Sequence, residues 1–440
     1  MAELEPLYSA DEMRAAEAGH DVDAMMQRAG AAVAEELMHR LPDARRVALH
    51  AGGGANGGDG RIAAEILRAQ GREIVEDSPE VVIDALLGTG LKGAPREDTS
   101  RLIEQINGSG APVLAVDIPS GVNASTGEVA GAAIRADVTV TMHGPKVGLA
   151  VAPGRFQAGE VVVADIGLEP AETEHRLVTR EILELVPRKA ARDTKYTAGS
   201  VLVVGGSRGM TGAAALAARA AFRADAGYVA IAAPTDSLQV LETLVLEAVK
   251  RPLEEVFEAV HRAKALAIGP GLGRGKDAKA LVRRLLEETD VPAVVDADAL
   301  HELEPFERNA ATVLTPHSGE LGRLIGEESS WVDAHRLDAL ARAVDRFGCV
   351  VLLKGADTLV GAPGHGVLVR ESNTAGLATA GSGDVLTGIV AAFLSKRIDA
   401  RLAAVAAATA QGRAAFLAAK PRGLVASDVI EALPQAFARD

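Results

Sequence analysis

Short, largely apolar runs recur along the chain, and most of them end in glycine or aspartate: Val47–His50, Val81–Asp84, Val113–Asp117, Val201–Val204, Ala265–Ile268, Ala293–Asp296, Thr312–Leu314 and Cys349–Leu353. A strand covered on both faces reads as a continuous apolar run, whereas a half-exposed strand alternates. Stretches of helical spacing separate these runs. The pattern predicts an α/β protein with parallel sheets and helices on both faces. With 440 residues the chain is long enough for more than one core. The polar stretch around Pro170 reads as a connector. The expected organisation is an N-terminal domain over 1–170, a linker over 171–177 and a C-terminal domain over 178–440.

Composition narrows the functional classes. The net charge is -14, no basic run is present and aromatics are 3% of residues. Binding to nucleic acid needs clustered Lys and Arg or stacking aromatics, so that class of partner is excluded as the main one. No apolar run is long enough to span a bilayer, so no membrane segment is expected. Cys349 is the single cysteine and sits within an apolar run, so it reads as a buried small hydrophobe. No disulfide can form within one chain, which suits the reducing cytoplasm, and the first residues do not resemble a signal peptide.

In open parallel sheets, ligands collect at the carboxyl ends of the strands. In the N-terminal half that edge receives Asn56, Asp59, Asp84, Asp117 and Ser120. Oxygen donors without His or Cys suit a hard cation such as Mg²⁺ or an alkali ion. The segment Ala51–Gly60 reads as a glycine-rich turn ahead of a helix at Arg61–Gln70, an arrangement that cradles phosphate. It contains neither a dinucleotide fingerprint nor a Walker lysine. Lys146 reads equally well as a phosphate ligand or as a solvated turn lysine.

The C-terminal half contains Asn373–Gly388, in which small residues precede one carboxylate and an apolar run. A helix is expected over Val385–Phe393, with Gly381-Ser382-Gly383 as the turn that leads into it. Unpaired N–H groups at such a helix start bind anions. Asp384 among them is a helix cap, a base or a ligand to Mg²⁺. His317, Lys354, Asp296 and Asp298 can each be read more simply: a capped loop histidine, a solvated lysine, and two helix-capping aspartates.

These motifs carry a close resemblance. Gly-x-Gly-x-Asn-Gly-Gly-Asp-Gly, Asp-Ala-Leu-Leu-Gly-Thr-Gly and Asp-Ile-Pro-Ser-Gly-Val-Asn resemble, in order, the NAD(P)H-hydrate epimerase domain. The resemblance implies a Rossmann-like three-layer domain that interconverts the R and S forms of hydrated NADH or NADPH (NADHX, NADPHX). It implies potassium at Asn56, Asp84 and Ser120. The substrate would be held by Asn56, Gly57, Gly58 and Asp59, by Gly88, Thr89, Gly90, Leu91, Lys92, Gly93 and Ala94, and by Asp117, which is also the acid–base candidate.

Six further motifs, from Gly-Gly-Ser-x-x-Met-x-Gly-Ala to Ala-Gly-Ser-Gly-Asp-Val-Leu-x-Gly, resemble the ADP-dependent NAD(P)H-hydrate dehydratase, a ribokinase-like α/β domain. There Asp384 would remove the hydroxyl proton, and Gly381, Ser382 and Gly383 would hold the transferred phosphate. Lys354, Gly355, Ala356, Asp357 and Thr358 would bind the rest of the nucleotide. Ala213, Gly273 and His317 would contact the hydrate, with Mg²⁺ neutralising phosphate charge. The whole chain thus resembles the bifunctional NAD(P)H-hydrate repair enzymes.

Two departures bear on the first domain. Ala55 stands where the family has a second Asn. Gly71–Glu80 is too short for the strand and helix that the family fits there, so a smaller sheet is expected. A ribokinase-like small-molecule kinase, and a dehydratase with a non-catalytic N-terminal binding domain, are the alternative readings. An assembly of identical chains is expected, of a size the sequence does not fix.

Overall fold

The structure, a computed structural model, describes residues 4–371, 375–420 and 422–438. Met1–Glu3, and with them the very start of the segment judged unlike a signal peptide, lie outside the described residues, as do Asn373 and Thr374 of the glycine-rich stretch. The chain divides into two compact units, one of Pro6–Leu177 with Asp333–Arg336, the other of Val178–Val332 with Leu337 onward.

The N-terminal unit contains a six-stranded sheet. Its strands are β1 (Arg46–Ala51), β2 (Glu73–Ile74), β3 (Val81–Ala85), β4 (Val113–Val116), β5 (Val138–Met142) and β6 (Glu160–Ala164). They pair in the order β2-β1-β3-β4-β5-β6, parallel at every register given. Every residue of β3, β4 and β5 is buried, as the continuous apolar runs require. Helix α1 (Ala10–Glu17) starts in a capping box of Ser9 with Glu12. Helix α2 is Val22–Arg40, and helix α4, after β3, is Glu97–Gly108. The short Gly71–Glu80 segment holds only the two-residue β2 before the chain enters β3, with no crossover helix between them.

The turn expected over Ala51–Gly60 is not a turn throughout. The glycine-rich segment is largely helix: α3 runs Ala55–Ala69, and Gly57, Gly58 and Gly60 lie inside it. Glycine in a helix interior costs about 1 kcal/mol relative to alanine, so close packing must require it. A Cβ on Gly57 would run into the Gly52 carbonyl, and one on Gly60 would come within 2.6 Å of the Ala85 side chain. These glycines let the helix start sit directly on the strand ends.

The C-terminal unit contains β7 (Ser200–Val204), β8 (Tyr228–Ala233), β9 (Val249–Pro252), β10 (Ala265–Ile268), β11 (Ala293–Val295), β12 (Thr312–Leu314), β13 (Val350–Leu353), β14 (Asp357–Gly361) and β15 (Leu368–Glu371). Their order is β15-β14-β13-β12-β11-β10-β7-β8-β9. Pairing is parallel from β13 to β9 and antiparallel at β13–β14 and β14–β15. The alanine-rich helices α5 (Thr211–Arg223) and α8 (Ala400–Leu417) share one apolar core with α7 (Ser382–Leu394), while α6 (Ser318–Ile325) follows β12. Helix α7 begins three residues before the expected start, so Ser382 and Gly383 are in its first turn. Gly381 is its N-cap at φ 85°, a left-handed conformation that glycine adopts without steric cost.

Candidate active sites

In the N-terminal unit the ends of β1, β3 and β4 meet the first turn of α3. Asp84 is wholly buried at the end of β3. Its Oδ1 accepts from the Ser120 hydroxyl at 2.7 Å and its Oδ2 from the Ser120 backbone N–H at 2.8 Å. Burial pushes its carboxyl up to about 6, although the Ser120 bonds pull the other way. The Ser120 hydroxyl also accepts from Leu87 N–H at 2.9 Å, and the Leu87 carbonyl accepts from Asn56 Nδ2 at 3.0 Å. Asn56, Asp84 and Ser120 therefore share one corner. Asn56 Oδ1 is buried there with no hydrogen-bond partner. A buried acceptor costs about 1–3 kcal/mol if left unmade. An orphaned carbonyl oxygen beside a buried carboxylate and a hydroxyl is a donor set that fits an alkali cation.

Next to this corner lies a cavity of about 850 Å³. Asn56, Gly57, Asp59, Gly88, Thr89, Gly90, Leu91, Lys92, Ala94 and Asp117 all line it, so most of the expected substrate residues converge. Gly58 and Gly93 are not in its lining; Gly58 gives room to the Met26 side chain instead. Sequence reasoning missed the wall supplied by α1 and α2, with Glu17, Met25 and Met26. No motif marks those residues, because their role depends only on how the helices pack. Burial raises the Asp59 carboxyl to about 7, helped by the Asp117 and Glu17 carboxylates. Burial also raises Glu17.

Neither reading of Lys146 holds. Its side chain is 1% exposed. It pairs with Asp117 Oδ1 and donates to Thr141 Oγ1 at 3.0 Å and to the Met142 carbonyl at 2.8 Å. All three ammonium protons are used inside the fold, so the lysine is neither solvated nor open to a phosphate.

In the C-terminal unit the carboxyl ends of β11, β12 and β13 face the first turn of α7. Asp296, 1% exposed, bridges two elements. Oδ1 takes Lys354 Nζ at 2.8 Å and Oδ2 takes the Thr387 hydroxyl of α7 at 2.6 Å. Asp296 stands at the N-cap of the short Ala297–Leu300 turn but makes no side-chain cap there, so the capping reading is replaced by a structural ion pair. Asp298 instead binds Gly273 N–H at 3.0 Å and Arg274 Nε at 2.8 Å, which fixes the Gly269–Gly273 loop. Ala213 lies against Gly271 of the same loop.

Lys354 is largely buried, not solvated. Burial pulls its ammonium down, yet the Asp296 and Glu320 carboxylates outweigh this and raise it. A Cβ on Gly383 would lie 3.3 Å from Lys354 Nζ and 3.5 Å from Asp296 Oδ2, so a side chain there would crowd the ion pair. Asp384 follows in the helix's first turn, and Gly381 lies before it. Burial lifts the Asp384 carboxyl to about 7, with Asp296 the next cause and Lys354 opposing. His317 does cap α6: its Nδ1 accepts from Gly319 N–H at 3.0 Å and Glu320 N–H at 3.3 Å. The capping leaves its other ring nitrogen as the N–H, and the side chain is 56% exposed. Glu320, 3.9 Å from Lys354, joins His317 to the same cluster. From Lys354 the chain continues through Gly355 and Ala356 into β14, where Asp357 and Thr358 are buried. Among the described residues no group of three or more His, Cys, Asp or Glu is arranged to hold a metal.

The C-terminal unit has a ribokinase-like fold, here joined to a Rossmann-like domain. The structure is similar to a ribokinase-like superfamily protein from Enterococcus faecalis: TM-score 0.54, 22% identity, 61% of this chain and 97% of that one. It is also similar to the ADP/ATP-dependent NAD(P)H-hydrate dehydratase from Bacillus subtilis: TM-score 0.55, 27% identity, 59% of this chain and 96% of that one.

The sequence comparisons are narrower still. A family model for NAD(P)H-hydrate dehydratase matches residues 201–435, and one for the YjeF-related protein N-terminus matches 22–76 and 72–148. Those last two stretches meet where the chain is short. Bifunctional NAD(P)H-hydrate repair enzymes from Moorella thermoacetica and Escherichia coli are 35% and 34% identical, each over 93% of this chain and over 91% and 88% of their own. The chain belongs to the bifunctional NAD(P)H-hydrate repair enzymes.

Proposed function

We propose that residues 1–170 epimerise R- and S-NAD(P)HX, and that residues 178–440 dehydrate the S form with ADP, releasing AMP and phosphate. The observation that carries the second half is Asp384: a carboxyl raised to about 7, in the first turn of α7, beside Lys354. A base with that affinity for protons is suited to work near neutral pH. Asp384 removes the proton of the substrate hydroxyl, whose oxygen attacks the terminal phosphorus of ADP, and AMP leaves. The hydroxyl has become a phosphate ester, a far better leaving group. Loss of phosphate and of a ring proton then restores the nicotinamide. The N–H groups of Gly381, Ser382 and Gly383 hold the moving phosphate. Lys354 to Thr358 hold the remaining nucleotide, and Ala213, Gly273 and His317 contact the hydrate. The Bacillus subtilis relative was crystallised with ATP and Mg²⁺, and Mg²⁺ here would screen phosphate charge next to the acidic cluster.

In the first domain, Asn56, Asp84 and Ser120 would hold potassium. The ion would supply the positive charge that the buried Asp84 otherwise lacks. The 850 Å³ cavity is of a size for a nucleotide-bearing substrate. Asn56–Asp59, the Gly88–Ala94 loop and Asp117 would hold it, with Asp117 as the acid–base group. Ala55 also lines this cavity, so loss of the second Asn removes one contact without closing the site. A cytoplasmic homo-oligomer completes the reading.

A single turnover with S-NADHX and ADP tests the dehydratase assignment. Stoichiometric AMP, free phosphate and reduced nicotinamide support it, with all three lost in Asp384→Asn. A stable phosphoester would turn the reading to the kinase alternative.

A further inference from the structure

Lys146 pairs with Asp117 inside the fold. Burying an ammonium group is costly, and replacing a buried ion pair with apolar residues of similar volume is often neutral or stabilising. A lysine that is 1% exposed is thus poorly explained by stability alone. Asp117 is unusual in the same way. Its φ is 64°, a left-handed conformation that costs a non-glycine residue about 1–2 kcal/mol. Such strain persists where surrounding contacts over-determine it, and it clusters at functional sites.

The contacts have a direction. Thr141 Oγ1 donates to Asp117 Oδ1 at 3.3 Å, Met142 N–H donates to it at 3.0 Å, and Lys146 Nζ is the third donor. Every one of these bonds falls on Oδ1. Asp117 lines the cavity, so Oδ2 is the oxygen left for a bound molecule. Thr141 Oγ1 in turn accepts from Lys146 Nζ at 3.0 Å, which closes a triangle of Asp117, Thr141 and Lys146. Both Thr141 and Met142 belong to β5, so the triangle is braced by the sheet.

We propose that Thr141 and Lys146 are positioning residues for the epimerase: they lock Asp117 so that Oδ2 is the atom presented to the hydrated carbon. The inference rests on Asp117 being the acid–base group. Lys146 does not touch substrate, since its three donors are consumed.

The full-length chain provides the test, because R-NADHX reads the epimerase and S-NADHX reads the dehydratase in the same preparation. Thr141→Val keeps the buried volume but removes the hydroxyl, Thr141→Ser restores it, and Lys146→Met removes the charge. Misplacement of a catalytic group by about 1 Å can cost on the order of 10²-fold. Thr141→Val and Lys146→Met should each lower kcat for R-NADHX about 30-fold or more, with KM within roughly threefold. Thr141→Ser should return kcat to within about threefold of the parent. The S-NADHX rate should be unchanged in all three.

Wild-type kcat in Thr141→Val and Lys146→Met, with Asp117→Asn inactive, would overturn the positioning role and leave Asp117 in place. Equal losses in Thr141→Val and Thr141→Ser would also overturn it, because packing would then be the cause. An active Asp117→Asn, or a parent chain that does not convert R-NADHX, would remove both the proposal and the reading beneath it.

Discussion

Lys354 Nζ and Asp296 Oδ1 lie 2.8 Å apart at the carboxyl edge of the larger sheet, and the other oxygen of Asp296 is tied to Thr387. The pair thereby joins the end of β13 to the helix that carries Asp384. Removing one partner leaves a buried charge uncompensated. Lys354→Met should therefore destabilise the C-terminal unit by about 3–5 kcal/mol. Adding Asp296→Asn should recover part of that loss, and a double-mutant cycle in urea measures the coupling. Both variants should lack dehydratase activity, so stability and catalysis separate in the double variant.

The carboxyl of Asp384 is raised to about 7, first by burial and then by Asp296. The folded-state value lies above the unfolded one near 4. Between them the folded protein holds a proton that the unfolded chain has released, so stability falls as pH rises through that window. Asp384→Asn removes the effect. The variant should be more stable than the parent above about pH 8, by roughly 1–2 kcal/mol after allowance for partial solvent access. In the parent, kcat/KM should rise with pH through about 7, as the base loses its proton. Thermal melts and a pH–rate profile check the two halves.

Asn56 Oδ1 and Asp84 belong to the corner proposed above to hold potassium. Burial raises Asp84 to about 6, so without a cation this unit should lose stability as pH rises from about 4 to 6. Potassium should offset the loss. At 10–100 times its Kd a ligand stabilises by about 1.4–2.7 kcal/mol. A melt in potassium should exceed one in a bulky organic cation by that amount at about pH 7. Asn56→Leu should remove the difference.

Much of this was legible in sequence because strand-end motifs are local. A run such as Val81–Asp84 announces both a buried strand and a carboxylate at its carboxyl end, and both are found. The start of α7 was missed by three residues, since glycines look like loop until packing demands them. The same holds for Gly57 and Gly60 in α3. Lys146 and Asp296 were misread for a different reason. Each acquires its partner from a distant segment, Asp117 in one case and Lys354 with Thr387 in the other, and no local pattern encodes that meeting. The Met25 and Met26 wall of the first cavity was invisible on the same grounds.

The most direct test of two activities in one chain starts from mixed R- and S-NADHX with ADP, Mg²⁺ and potassium, and follows the reduced-nicotinamide absorbance. The account predicts complete recovery, faster than spontaneous epimerisation and abolished by Asp384→Asn. Recovery that stops at the S fraction would contradict it, leaving a dehydratase joined to a domain that does not epimerise.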